Sequence, residues 1–170
     1  VGEQDNVRFQ QDDLLNPQNL EGPYDAVICV RVLINLRDLS EQQRAIRNMA
    51  GLLRPGGLLI LAEGFTEGFA ALSRLREELG MPGVEPAAIN YYAALSEVQP
   101  LLDELFEPAG RFHLGAYDYL TRVVYPLLVG HDKVQHNTVF SEKFHNLARA
   151  FNPDALADYS RLQGLLLKLK

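Results

Sequence analysis

The 170-residue chain has no tryptophan, two methionines and a single cysteine. No apolar run approaches the roughly 20 residues that a membrane-spanning helix needs. Cys29 cannot close an internal disulfide. Its place in the apolar run YDAVICV predicts a buried small hydrophobe in a reducing compartment. Positive charge is also scarce, with 16 Lys and Arg against 22 Asp and Glu and a formal net charge of -6. That balance argues against a nucleic-acid partner or an anionic membrane surface, either of which calls for clustered cations. The opening VGEQDNVRFQ is polar and lacks the apolar core of a secretory signal. The four histidines, at 113, 131, 136 and 145, have no ligand spacing, so no metal site is expected. The chain also lacks a G-x-S-x-G elbow, a P-loop and a Tyr-x-x-x-Lys pair. With 47% hydrophobic residues, what remains is one soluble domain with a sizeable core, expected in the cytoplasm.

Local patterns give an alternating α/β order. Val7 to Gln10 alternates like a short strand and breaks at Asp12-Asp13 and Asn16-Pro17. Tyr24 to Val30 is β-branched and apolar after Gly22-Pro23, which predicts a strand buried on both faces. Ser40 with Gln43 three residues on reads as a capping box. Ala45, Ile46, Met49, Leu52 and Leu53 recur at helical spacing, and Pro55-Gly56-Gly57 is expected to end that helix. Leu58 to Glu63 is a second apolar strand. Strand, helix and strand within about 40 residues form a right-handed βαβ unit with parallel strands. Helices are expected over Phe69–Gly80, from Ser96 (again with Gln at capping-box spacing), over Tyr117–Leu128 and over Val139–Phe151. Further strands are expected at Arg111–Gly115 and in the closing QGLLLKLK.

YDAVICVRVLINLRD followed by LLRPGGLLILAE resembles the middle of a class I S-adenosylmethionine-dependent methyltransferase. In that family a strand ending beside the cofactor leads through a helix and the phrase LkPGG to the next strand. The resemblance implies a Rossmann-like, mostly parallel α/β sheet. VRFQ would be its third strand, YDAVICV the fourth and LLILAE the fifth. RFHLG would be the sixth, and GLLLKLK an antiparallel seventh tucked between its neighbours. It further implies that residues 1–170 form a single partial methyltransferase domain: 1–65 as the βαβ portion, 66–170 as helical insertions and C-terminal strands. The family's first two strands and its glycine-rich cofactor loop have no counterpart in these residues and would lie upstream of Val1. The implied cofactor is S-adenosyl-L-methionine and the implied activity is methyl transfer to a small-molecule acceptor, within a longer chain. A catalytically silent, methyltransferase-like interaction subunit is the alternative. An unpaired edge on YDAVICV predicts either a homodimer or direct pairing of VRFQ onto that edge.

The resemblance nominates Asp12, Asp13 and Leu14 for the adenine, with Asp13 fitting best. Val30 and Arg31 are nominated for the amino-acid end of the cofactor. Two aspartates ahead of Asn16-Pro17 also suit a simple turn. Glu63 ends a strand at the carboxyl edge, as a general-base candidate or an exposed acid. Asn90, Tyr91 and Tyr92 follow a Pro/Gly-rich loop and are candidates to orient an acceptor. Tyr117, Tyr119, Arg122 and Tyr125 have near-helical spacing and fit either a pocket wall or a packed helix face. Leu33, Ile34 and Leu36 read as packing.

Overall fold

The computed structural model describes residues 6–135 and 138–170. Its sheet has four strands: β1 (Tyr24–Val30), β2 (Leu53–Gly64), β3 (Phe106–His113) and β4 (Leu162–Leu169), in the order β1-β2-β4-β3. β1 and β2 run parallel, with Ile28 opposite Ile60 and Val30 opposite Ala62. β4 is antiparallel to both β2 and β3 and lies between them. This is the mixed Rossmann-like sheet expected, including the antiparallel last strand.

The crossover from β1 to β2 is α1 (Leu39–Gly51), and its cap differs from the expected one. Asp38, not Ser40, accepts from the Glu41 N–H at 2.9 Å, and the Glu41 carboxylate accepts from the Arg37 N–H at 2.9 Å. Aspartate caps as well as serine does, so the cap lies two residues earlier, with Glu41 reaching back to the residue before it. The helix ends at Gly51, ahead of Pro55. Pairing jumps from Tyr24↔Leu53 to Ala26↔Leu58, so residues 54–57 bulge out of β2. Gly56 has φ +72, and a Cβ on Gly57 would sit 2.9 Å from the Arg54 carbonyl oxygen. The RPGG phrase therefore makes a bulge inside a strand edge.

Ala45, Ile46 and Met49 of α1 and Val98, Leu101 and Leu102 of α3 (Leu95–Leu105) cover one sheet face, over Cys29, Leu59, Leu61, Leu165 and Leu167. Here too the cap lies earlier than Ser96: the Glu97 carboxylate accepts from the Ala94 N–H at 2.8 Å. The other face of β1 is open. Ile28 is 67% and Val30 54% exposed, so the expectation of a strand buried on both faces is corrected. Apolar character on alternate residues encoded two buried faces, but among the described residues only one is covered.

Residues Val7 to Gln10 are also corrected. They form no strand, Phe9 is 78% exposed, and among the described residues β1 pairs only with β2. Four alternating residues without a partner strand cannot satisfy their backbone groups as a ladder.

The remaining helices gather beyond the carboxyl end of β2. They are α2 (Thr66–Glu78), α4 (Gly115–Tyr119), a π-helical turn (Leu120–Val124), α5 (Tyr125–Val129) and α6 (Val139–Ala148). Their apolar residues form two further clusters, one around Leu72, Met81 and Val123 and one around Leu120, Tyr125 and Phe144. No helix among the described residues is long and apolar enough to cross a membrane.

Candidate active site at the carboxyl edge of the sheet

Parallel strands aim their carboxyl ends, and the loops that follow, at one edge of the sheet, where open α/β folds hold ligands. At that edge the loop after β1 turns at Arg31, which has φ +53. Such a left-handed conformation is uncommon for a residue with a Cβ and needs surrounding support. The Arg31 N–H donates to the Ala62 carbonyl at 2.9 Å, and the Asn35 side-chain amide donates to the Arg31 carbonyl at 2.8 Å.

The main support is Glu63. It is 1% exposed, and its Oε1 accepts from the N–H groups of Val32 at 2.7 Å and Leu33 at 3.0 Å and from the Cys29 thiol at 3.6 Å. Its Oε2 is buried without a partner. Burial pushes the Glu63 carboxyl above the usual range, while the backbone donors pull the other way. Burial, with the neighbouring carboxylate, raises the Cys29 thiol to about 12, so it stays protonated as a donor. The reading of Glu63 as an exposed acid is corrected, because its side chain turns inward under the loop. Leu33 and Ile34 are each 3% exposed and Leu36 packs against the main core, as expected.

A cavity of about 300 Å³ opens beside this loop. Arg31, Tyr92, Tyr117 and Arg122 line it, with Phe69, Asp118 and Arg161. Tyr91 packs toward the core. Its N–H donates to the Ile34 carbonyl at 2.9 Å, and its own carbonyl accepts from Gln42 at 3.0 Å. That pair of bonds fixes the loop so that Tyr92 meets Phe69 edge-on at 4.8 Å, and Asn90 donates to the Tyr92 hydroxyl at 3.2 Å. Tyr119 and Tyr125 belong to the helical clusters instead.

Asp118 and Arg161 are not evident from sequence patterning. Asp118 is 2% exposed, and its Oδ1 accepts from Arg161 Nε at 3.0 Å and Nη2 at 2.6 Å. Its Oδ2 accepts from the Arg161 N–H at 2.9 Å. The available signal was a single acid between aromatics, GAYDYL, in an otherwise apolar helix.

The two aspartates separate cleanly. Both carboxylate oxygens of Asp12 are taken by backbone donors: the N–H groups of Asp13, Gln18, Asn19 and Leu20, at 2.8 to 3.2 Å. Those donors, led by Gln18 and Asn19, hold its carboxyl below the usual range. Asp13 is exposed, and its Oδ1 accepts from the Leu15 N–H at 2.9 Å. Leu14 is half-buried, its carbonyl accepting from Asn48 at 2.8 Å. The structure does not bring these residues into the cavity, nor Val30, which lies on the open face of β1. His136 lies outside the described residues, and among those described no cluster of possible metal ligands occurs.

Residues 2–77 match the family described as CheR methyltransferase, SAM binding domain. That stretch is similar to the SAM-binding part of a class I methyltransferase. It is 42% identical over 69 residues to a chemotaxis protein methyltransferase of Klebsiella aerogenes, covering 40% of this chain and 23% of that protein. It is 34% identical over 122 residues to the ubiquinone/menaquinone biosynthesis C-methyltransferase UbiE of Photorhabdus laumondii, covering 65% and 47%. Magnesium protoporphyrin IX methyltransferase of Synechocystis, solved with bound SAH, is 28% identical with a TM-score of 0.45, over 62% of this chain and 43% of that one. The chain thus spans from under a quarter to about half the length of the curated relatives it matches.

Proposed function

We propose that this domain serves S-adenosylmethionine-dependent methyl transfer to a small-molecule acceptor, as part of a longer methyltransferase polypeptide in the cytoplasm. The observation that carries the reading is the cavity at the carboxyl edge of β2, next to a β1 loop held in a left-handed turn by a buried carboxylate. The residues fit the cofactor in part. Asp12 is consumed by its own turn, whereas Asp13 leaves one carboxylate oxygen to accept from an adenine amino group. Asp13 and Leu14 would hold the adenine, and Val30 and Arg31 the amino-acid end. Bound there, the cofactor supplies a methyl group already activated by its sulfonium. The protein's own part is alignment and exclusion of water. Glu63 sets the loop that carries Arg31, while Tyr92 and Phe69 wall the acceptor space. With Oε1 already committed to two backbone donors, Glu63 is a positioning residue in this reading, not the base.

The test is a calorimetric titration of the polypeptide carrying this domain with S-adenosylhomocysteine. Saturable binding is expected, and Asp13→Ala should weaken it about tenfold, the loss of one good hydrogen bond to a charged group. Asp12→Ala should instead speed amide exchange at Gln18, Asn19 and Leu20. A titration without heat, or an Asp13→Ala variant that binds as the wild type does, contradicts the reading.

The open edge and apolar face of β1 support association with a second copy through that strand. Sedimentation equilibrium should give a dimer, and Ile28→Lys should weaken it at least about tenfold, since a charge on that face must be desolvated in the interface. A wild-type chain that stays monomeric throughout the accessible concentration range would refute the pairing.

A further inference from the structure

Three arginines and one aspartate meet where the helices beyond β2 face the cavity. Asp118 is fully engaged by Arg161, as described above. Arg76 is 9% exposed and donates to the carbonyls of Pro82, at 2.6 Å, and Arg122. Neither carbonyl cancels its charge. Arg122 comes off the π-helical turn. Its Nε is buried and has no hydrogen-bond partner among the described residues. Burial, then the nearby Arg161, works against its charged form, while Asp118 and Tyr117 favour it and Arg76 again opposes it. Buried cations are ordinarily paired, and a buried donor left unmade is costly. One aspartate against three arginines leaves this cluster short of anions, and Arg31 on the same cavity wall deepens the deficit.

The cavity shows what would remedy it. About 300 Å³ lies at the small end of ligand sites, enough for a single-ring molecule. Phe69, Tyr92 and Tyr117 supply flat apolar walls. A guanidinium is the side chain best matched to a planar carboxylate. We propose that Arg122 anchors the carboxylate of a small aromatic acid in this cavity. This rests on the methyl-transfer reading only in naming that acid as the acceptor. The binding itself stands on the cluster.

Benzoate and its neutral counterpart benzamide are the probes, titrated into the wild-type chain while the Arg122 Nε–H resonance is followed in proton–nitrogen spectra. Benzoate should shift that resonance saturably and bind at least about tenfold more tightly than benzamide. Arg122→Gln should abolish the preference and Arg122→Lys keep part of it. If Arg122→Gln does not fold, the wild-type resonance and the lysine variant decide. Equal affinities, no binding, or a preference that survives loss of the charge overturns the proposal. Saturating S-adenosylhomocysteine should leave benzoate affinity unchanged, and competition between the two overturns it by assigning the anion subsite to the cofactor's own carboxylate. Failure of S-adenosylhomocysteine to bind counts against methyl transfer alone, because the benzoate titration is read without it.

Discussion

Glu63→Ala should destabilise the domain by about 2–4 kcal/mol, read as a shift in urea midpoint at unchanged slope. The side chain is 1% exposed and satisfies the N–H groups of Val32 and Leu33, so its removal leaves both donors unmade beneath the loop. The Cys29 thiol loses its acceptor as well. Glu63→Gln keeps an acceptor at Oε1 and should cost less, about 1–2 kcal/mol, because its amide nitrogen takes the place of the unpartnered Oε2 and finds no acceptor there. The two variants also separate by pH. Burial raises the Glu63 carboxyl in the folded state above its ordinary 4.5, so the native state holds that proton more tightly than the unfolded chain does. That contribution is whole below 4.5 and is lost as pH rises through the folded value. The wild type should therefore lose stability relative to Glu63→Gln as pH is raised from that point. A gap between them that is flat with pH would show that Glu63 does not titrate under the influence of its burial.

The second large effect belongs to Gly68, in the first turn of α2. A Cβ there would lie 1.9 Å from the carbonyl oxygen of Ser160 and 2.9 Å from the Arg161 Cα. Both are backbone, and the Ser160 side chain is locked between the Leu114 N–H, which it accepts at 2.9 Å, and the Leu162 carbonyl, to which it donates at 2.5 Å. Nothing at that contact is the yielding end of a flexible side chain. Gly68→Ala should cost about 3 kcal/mol, at the upper end of overpacking penalties. Because the clash pushes α2 away from the segment carrying Arg161, it should also disturb Phe69 and the cation held 5.5 Å above its ring. Gly51→Ala is the control of opposite sign. At the last residue of α1 an added Cβ meets nothing within 4 Å, so the change should stabilise by about 0.5 kcal/mol through the unfolded chain. Equal effects of the two substitutions would mean that α2 is not docked on Ser160.

The parallel pair and its crossover could be read from the sequence because long apolar runs and helical spacing report burial directly. β4 between its neighbours followed from the family resemblance and not from its own pattern. What could not be read was which faces remain open: Ile28 and Val30 look the same in sequence whether or not another layer covers them. Val7 to Gln10 misled for a related reason, since alternation describes a strand's faces but not whether a partner strand exists. The direction of Glu63 was equally hidden. A glutamate at a strand end is usually solvated, and only the left-handed turn at Arg31 opposite it creates donors to draw it inward. Asp118 and Arg161 are 43 residues apart, a separation that no local pattern spans.

The methyltransferase reading requires the ends of β1 and β2 to lie side by side and point the same way, and methyl-labelled nuclear Overhauser spectra test this directly. The account predicts cross-peaks between Ile28 and Ile60, Ala26 and Leu58, and Val30 and Ala62, all advancing together along both strands. Cross-peaks joining Ala26 to Ala62 and Val30 to Leu58 would make the pair antiparallel and contradict it.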